Sequence, residues 1–409
     1  MTPRAARRVL LADADAFFVA VARLSDPEGV GREPLLIVGG TRESRGVVCS
    51  ASYETRRYGV RSAMPIAQAL RLCPAAVCVP VPRRACSEMS RAIREVLERF
   101  SPVVEAASID EWYLDLGGTE ALYGDEPLAA TAMRIRQAVR DATSLSISIG
   151  GGTSKLVAKL AVEHAKPRAV AGGNGVHVVQ AGSEAVFMRG IKLADISGVG
   201  PRFQERLSAL GMHTVPDVLQ YDRRTLSAYL GTRAADWLAR SARGEDDAPV
   251  EPRLDSKQIS RDETFPEDLR EDRDLERELL TLVVRAAADL RAEGIAARTI
   301  TVRLRDGDFR TRQAGRTLDM PVVSDRAIFH VARALLARLR AARRVPARLI
   351  GVALSSLARD SAADQLALFE EPGHGAPETA RDRSLARAVD AARARFGDDI
   401  LLPGAIRDR

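Results

Sequence analysis

Lysine is nearly missing from this 409-residue chain: it occurs only at positions 155, 159, 166, 192 and 257, so arginine carries almost all the positive charge. Cysteine and histidine are sparse as well. The four cysteines (Cys49, Cys73, Cys78, Cys86) have no CxxC spacing and the five histidines stand far apart, which excludes a zinc site built on local ligand spacing. We expect reduced, structural cysteines. No apolar run approaches the roughly 20 residues that span a bilayer, and no signal-peptide core precedes Asp13. The expected compartment is the cytoplasm, with no membrane partner. Aromatic residues make up only 4%, while the formal net charge of +6 favours a polyanionic partner. The chain is too long for one small core and should divide into two to four units.

What is present is a pattern of acids at strand ends. Residues 9–12 form a buried-strand run that stops at Asp13. Farther on, two β-compatible stretches, 103–107 and 112–116, flank Asp110-Glu111, which reads as a hairpin. Adjacent carboxylates repel, and few cations stand near them in the sequence, so a divalent cation is the expected compensation. Asp13 completes an oxygen ligand set for two hard cations. Such ions, about 3.5–4 Å apart, clamp the attacking and leaving oxygens of an in-line phosphoryl displacement. Asp15 has the place of an N-cap for a helix over 16–23. Tyr53 and Arg56 lie three residues apart on a helical turn and can grip one ligand together.

Amphipathic helices are predicted over 84–100 and 128–141. A half-buried strand at 145–149 is predicted to stop at Gly150-Gly151-Gly152, before a helix over 153–164. This argues an α+β sheet layer. Residues 183–243 read as short helices, with Gly198 and Gly200 in a turn that is either a helix-hairpin-helix or a plain interhelical connection. The stretch 244–255 reads as a linker, and 256–357 as a βαββαβ unit. In the tail, Gln365, Leu366, Leu368 and Phe369 form a short apolar anchor, and 382–396 looks helical.

Four blocks carry a more specific likeness: Ala12-Asp13-Ala14-Asp15-Ala16-Phe17-Phe18, residues 50–60 (Ser-Ala-Ser-Tyr-Glu-Thr-Arg-Arg-Tyr-Gly-Val), Ser108-Ile109-Asp110-Glu111 and Ala165-Lys166-Pro167. Together they resemble the Y-family of translesion DNA polymerases, in its DinB branch, up to about residue 357. The resemblance implies a multidomain α+β, right-hand-like polymerase. Its parts would be a palm (1–16 and 82–182), small fingers (17–81), a helical thumb with helix-hairpin-helix (183–243), the linker, a βαββαβ little finger (256–357) and a tail (358–409).

It also implies that Asp13, Asp110, Glu111 and the Ala14 carbonyl hold two Mg²⁺ ions. Phe17, Ser50, Tyr53, Arg56 and Lys166 would contact the triphosphate of a dNTP. Phe18, otherwise an ordinary core residue, would be the steric gate against ribose. Val47, Val48, Cys49 and Met64 would roof the nascent base pair. Gly198, Gly200, Arg298, Arg303, Arg305, Arg310, Arg312 and Arg316 would contact the phosphates of primer-template DNA. The 365–369 peptide would dock on the bacterial sliding clamp, unless it packs on its own domain. After Lys166-Pro167 the chain departs from the family pattern by a small insertion. We expect a monomer without proofreading. A clamp-bound adaptor without activity and a palm-fold nucleotidyl cyclase are the competing readings. Retention of all three acids opposes the first, and the thumb, basic unit and clamp-like peptide oppose the second.

Overall fold

The computed structural model describes residues 7–167, 174–252, 256–360 and 378–397, with 400, 401, 403 and 404. It divides into two units, the second beginning near residue 254.

The first unit is built on a five-stranded sheet of order β5-β6-β1-β7-β8. Its strands are β1 (Val9–Ala14), β5 (Val103–Ala106), β6 (Glu111–Asp115), β7 (Ile147–Gly152) and β8 (Val176–Val178). β1 is central, pairs antiparallel with β6 and β7, and is buried along its whole length, which explains its unbroken apolar run. Leu10, Ala12, Trp112 and Leu114 face a core shared with helices α4 (Arg83–Leu97) and α5 (Leu128–Thr143). Val9, Leu11 and Tyr113 face the other way, onto helix α6 (Lys155–Ala165).

Gly150-Gly151-Gly152 does not end a strand, as the sequence suggested. The three glycines are buried members of β7. A Cβ on Gly150 would stand 2.1 Å from the Ala158 carbonyl oxygen, so glycine is what lets α6 lie directly on the sheet. Residues 245–252 are irregular, as expected of a linker, yet they are strapped down. Arg7 donates to the Ala248 carbonyl at 2.8 Å, Glu251 N–H donates to Glu105 at 3.0 Å, and Val250 is buried.

A three-stranded sheet, β3-β2-β4, forms a smaller layer from β2 (Leu36–Val38), β3 (Ser50–Ala51) and β4 (Val77–Val79). Helix α1 (Phe17–Ser25) packs on its strands, and it carries the helices α2 (Tyr53–Arg56) and α3 (Ile66–Leu72). Five helices close the unit: α7 (Glu184–Arg189), α8 (Pro201–Ala209), α9 (Val215–Leu219), α10 (Arg223–Leu230) and α11 (Thr232–Ala242), around Leu207, Val215 and Leu238.

The second unit has the predicted βαββαβ order. It comprises β9 (Gln258–Leu269), α12 (Asp272–Ala292), β10 (Ile295–Asp306), β11 (Thr311–Val322), α13 (Asp325–Ala342) and β12 (Ala347–Arg359). The sheet order is β11-β10-β12-β9, with both helices on one face. The expected tail helix is α14 (Ala380–Phe396), and it is part of this unit. Arg291, almost fully buried, holds Asp390 at 2.6 Å and Asp325 at 2.8 Å, while Arg383 bonds Asp360 at 2.8 Å.

A fully buried acid anchors one end of this sheet. Asp306 accepts from Arg312 at 2.8 Å and from Arg343 at 2.6 Å. Replacing it by alanine takes the carboxylate from the part-buried Arg312 and leaves Arg343 with Asp308 alone, which should destabilise the unit by about 3–5 kcal/mol. Denaturant unfolding of the full chain, followed by hydrogen exchange in β10 and α13, checks this. A loss under about 1 kcal/mol would mean that water replaces the carboxylate without difficulty.

Candidate active site

β1 and β6 place Asp13 directly opposite Glu111, on the α6 face of the sheet. Asp110 stands half-buried in the hairpin loop, and its carbonyl accepts the Ala14 N–H at 2.9 Å, tying the loop to the end of β1. The three expected acids and Ala14 thus share one sheet end. Burial pushes the Asp13 carboxyl up to about 7, with Glu111 and Asp110 adding to the rise against the opposing pull of Lys166.

The expectation of few neighbouring cations is corrected by α6. The sequence reading missed that its lysines form a row matched to the acids. Lys155 holds Glu105 at 2.6 Å, Lys159 holds Glu111 at 2.6 Å, and Lys166 holds Asp13 at 2.9 Å. The i, i+4 spacing of Lys155 and Lys159 was the available signal, since it puts both on one helix face. Lys155 also lies 4.7 Å from the Tyr113 ring centroid, so it serves the sheet and not a phosphate. Lys166 faces the opposing effects of burial, which disfavours its charge, and of Asp13 and Glu163, which win and hold it cationic.

With each acid turned to a local partner, no three acid, histidine or cysteine side chains converge on one point among the described residues. The donors still fit a hard divalent cation. They are all oxygens, and Asp13 is a buried carboxylate beside two further acids, an arrangement that a bound cation relieves.

Asp15 does not cap a helix. Ala16 holds the N-cap position of α1 in a left-handed conformation with no side-chain cap, and the Asp15 carboxylate instead accepts from Ser148 at 2.7 Å. Burial raises the Asp15 carboxyl above its usual range. Phe17 is buried in the sheet core, whereas Phe18 is half-buried, its ring 5.5 Å from that of Phe17 in an edge-on contact.

Helix α2 is capped by Ser52, whose side chain accepts from the Thr55 N–H. The cap aims Tyr53 and Arg56 to one side, where the guanidinium carbon lies 5.0 Å from the ring centroid. Arg56 is braced by the Ala51 carbonyl at 2.9 Å. Burial pushes the Tyr53 phenol up to about 12, and the charges of Asp15, Arg56, Lys166 and Asp13 all act on it. Tyr53, Arg56 and Lys166 are therefore gathered beside the acids. Ser50 is buried in β3 nearby in the chain. Of the expected roof, Val48 is instead a core residue of the small layer, while Val47 is exposed and Cys49 and Met64 are half-buried.

Gly198 has φ +104°, and a Cβ there would meet the Trp237 ring at 2.7 Å, so this turn needs glycine twice over. Gly200 is the N-cap of α8, with Pro201 in its first turn. In the second unit, strand alternation puts Arg303 and Arg305 on the open sheet face. Arg298 and Arg310 are exposed. One of the expected phosphate contacts is corrected. Arg312 lies opposite Leu304, on the helix-bearing face, and is consumed by Asp306. Arg316 lies opposite Ile300 and is exposed. Gln365, Leu366, Leu368 and Phe369 lie outside the described residues.

The comparisons with known proteins agree with this fold. The impB/mucB/samB family model matches residues 12–163, and the model of that family's C-terminal domain matches 256–368. DNA polymerase IV of Desulfatibacillum aliphaticivorans is 36% identical over 399 residues, covering 97% of this chain and 96% of that one. A chimera of the Y-family polymerases Dbh and Dpo4 superposes with a TM-score of 0.74 at 25% identity, over 85% of this chain and 98% of that one. An insertion ternary complex of Dbh DNA polymerase has a TM-score of 0.59 at 26% identity, with the same coverage. Paired strand-end acids, a separate βαββαβ unit and these matches thus come together in one way: the chain belongs to the impB/mucB/samB family, in the DinB branch of the Y-family translesion DNA polymerases.

Proposed function

We propose that the chain adds dNTPs to the 3′-hydroxyl of a primer on template DNA, with low fidelity and no proofreading. The observation that carries this is the cross-strand pair Asp13–Glu111, with Asp110 on the adjoining hairpin, beside Tyr53, Arg56 and Lys166. Asp13, Asp110, Glu111 and the Ala14 carbonyl would hold two Mg²⁺ ions. When bound, such ions lower the pKa of the primer hydroxyl and neutralise the leaving pyrophosphate. The chain's own residues do the rest. Lys166 and Arg56 offset charge on the β- and γ-phosphates, and the Tyr53 phenol, kept protonated by its surroundings, donates a hydrogen bond to them. Phe17 offers its backbone N–H to the triphosphate and Ser50 its hydroxyl. The Phe18 ring occupies the space that a ribose 2′-hydroxyl requires.

The five-stranded sheet with α4–α6 takes the part of the palm and the three-stranded layer that of the fingers. Helices α7–α11 take the part of the thumb, and the second unit that of the little finger. Arg298, Arg303, Arg305 and Arg310 offer phosphate contacts, and the glycine turn at Gly198 and Gly200 lets backbone approach the duplex. The 365–369 peptide is the proposed contact with the bacterial sliding clamp. The protein acts as a monomer in the cytoplasm.

The test is primer extension on an undamaged template with Mg²⁺, comparing the wild type with Asp110→Ala. Extension by the wild type and loss of at least about 10³-fold in the variant are expected. A wild type that binds primer-template yet never extends it would favour the adaptor reading.

A further inference from the structure

The acid at this corner that the reaction leaves without a task is Asp15. The residue is 9% exposed. One oxygen accepts from Ser148 Oγ at 2.7 Å, whereas Oδ2 is buried with no hydrogen-bond partner among the described residues. A buried acceptor in that condition is destabilising. An acid retained on those terms is doing something other than holding the sheet together.

Its position in the chain points to the task. Asp13 is the last inward acid of β1, and Phe18 is the second residue of α1. Between them the backbone reverses at Ala16, with φ 47° and ψ 43°, a left-handed conformation uncommon for alanine. The two sides of this turn are anchored unequally. On the helix side, Val19 and Ala20 both donate to the Ala16 carbonyl, at 2.9 and 3.0 Å. On the sheet side, Asp15 N–H donates to the Ser146 carbonyl at 3.0 Å, and the closest side-chain tie is Asp15 to Ser148 at 2.7 Å, with the Ser146 hydroxyl acting more weakly on the same carboxylate. β7 is itself braced there, since Arg136 donates to the Ile147 carbonyl at 2.9 Å and to Ser146 Oγ at 3.3 Å.

We propose that Asp15 is a positioning residue for sugar selection: through Ser148 it fixes the left-handed turn at Ala16 to β7, and so sets where the Phe18 ring stands against the sugar of the incoming nucleotide. The inference rests on the reading of Phe18 as the gate. Aspartate suits the role because its short side chain reaches β7 without leaving the turn. Asparagine offers Ser148 the same acceptor at the same length, so it should hold the turn equally well.

The experiment is single-nucleotide insertion by the full chain on primer-template. The readout is the ratio of kcat/KM for a dNTP to kcat/KM for the matching rNTP. That ratio cancels the fraction of active protein, so partial misfolding does not move it. Asp15→Ala and the milder Ser148→Ala should each lower the ratio about tenfold, and Asp15→Asn should stay within about twofold of the wild type. An unchanged ratio in both alanine variants, in an assay where Phe18→Ala collapses it, overturns the proposal. So does an asparagine variant as permissive as alanine, since charge and not the tie to Ser148 would then matter. If Phe18→Ala itself leaves the ratio unchanged, the gate reading fails first and takes this inference with it.

Discussion

Asp13→Asn is expected to abolish primer extension, by at least about 10³-fold, while raising the stability of the metal-free protein at neutral pH. The two effects have one cause. Asp13 is buried beside Glu111 and Asp110, and burial pushes its carboxyl from the usual acidic range up to about 7. Its folded value lies above its unfolded one, so the folded state binds the proton more tightly. Stability then falls as pH rises from about 4 towards 7, because the unfolded chain releases the proton first. Asparagine has nearly the same shape and no proton to lose. The variant's melting curve should therefore be flatter over that interval, and its advantage largest near pH 7. The same substitution removes an anionic oxygen from the proposed metal site and leaves the Lys166 ammonium, 2.9 Å away, without that counter-charge. Glu163, which holds Lys166 at 2.7 Å, limits the harm to the fold. Thermal melts from pH 4 to 8 in chelator, set beside single-turnover extension with Mg²⁺, check both halves. A variant that extends primers at near wild-type rate would remove Asp13 from the ligand set. One that melts well below the wild type at pH 7 would show its charge to be structural.

How far the sequence could be read depended on whether a signal was local. β1 with Asp13 near its end, the hairpin around Asp110-Glu111 and the order of β9 to β12 follow from apolar periodicity, which neighbouring residues carry by themselves. The misreadings occur where a distant partner overrides the local rule. Asp15 has cap chemistry and cap spacing, yet Ser148, 133 residues away, takes its carboxylate. Gly150-Gly151-Gly152 has the composition of a turn, and only the close seat of α6 explains why a central strand carries glycine. Arg312 looks like a solvated cation in an arginine-rich stretch. The strand register turns it under α13, where Asp306 is waiting. The row of lysines on α6 was half legible, since helical spacing groups Lys155 with Lys159, but nothing local says that Glu105 and Glu111 lie opposite. These tertiary pairings matter for the chemistry, because they settle which charges at the site are already compensated before a nucleotide arrives.

Phe18→Ala should leave dNTP insertion within about tenfold of the wild type while raising rNTP insertion by about 10²-fold or more. The asymmetry follows from what the ring does. Phe17, buried in the sheet core, carries the packing of the first turn of α1, and its loss would be a cavity in the fold. Phe18 is half-buried, held edge-on against Phe17 at 5.5 Å and packed against the edges of the two neighbouring cores, with part of its surface left open. A ring in that position works by occupying volume. It forms no hydrogen bond to a deoxyribose, so its removal takes little from the correct substrate. In the proposed gate role it bars a 2′-hydroxyl by steric clash, and the clash vanishes with the ring. Phe18→Tyr should keep discrimination, because the added hydroxyl lies at the far end of the ring and the excluded volume near Cβ is unchanged. Paired kcat/KM values for one dNTP and its rNTP, with wild type, Phe18→Ala and Phe18→Tyr, decide the matter. If alanine depresses both nucleotides equally, Phe18 is packing and the sugar is sensed elsewhere. If it admits the ribonucleotide alone, selection against ribose rests on the volume of a single ring.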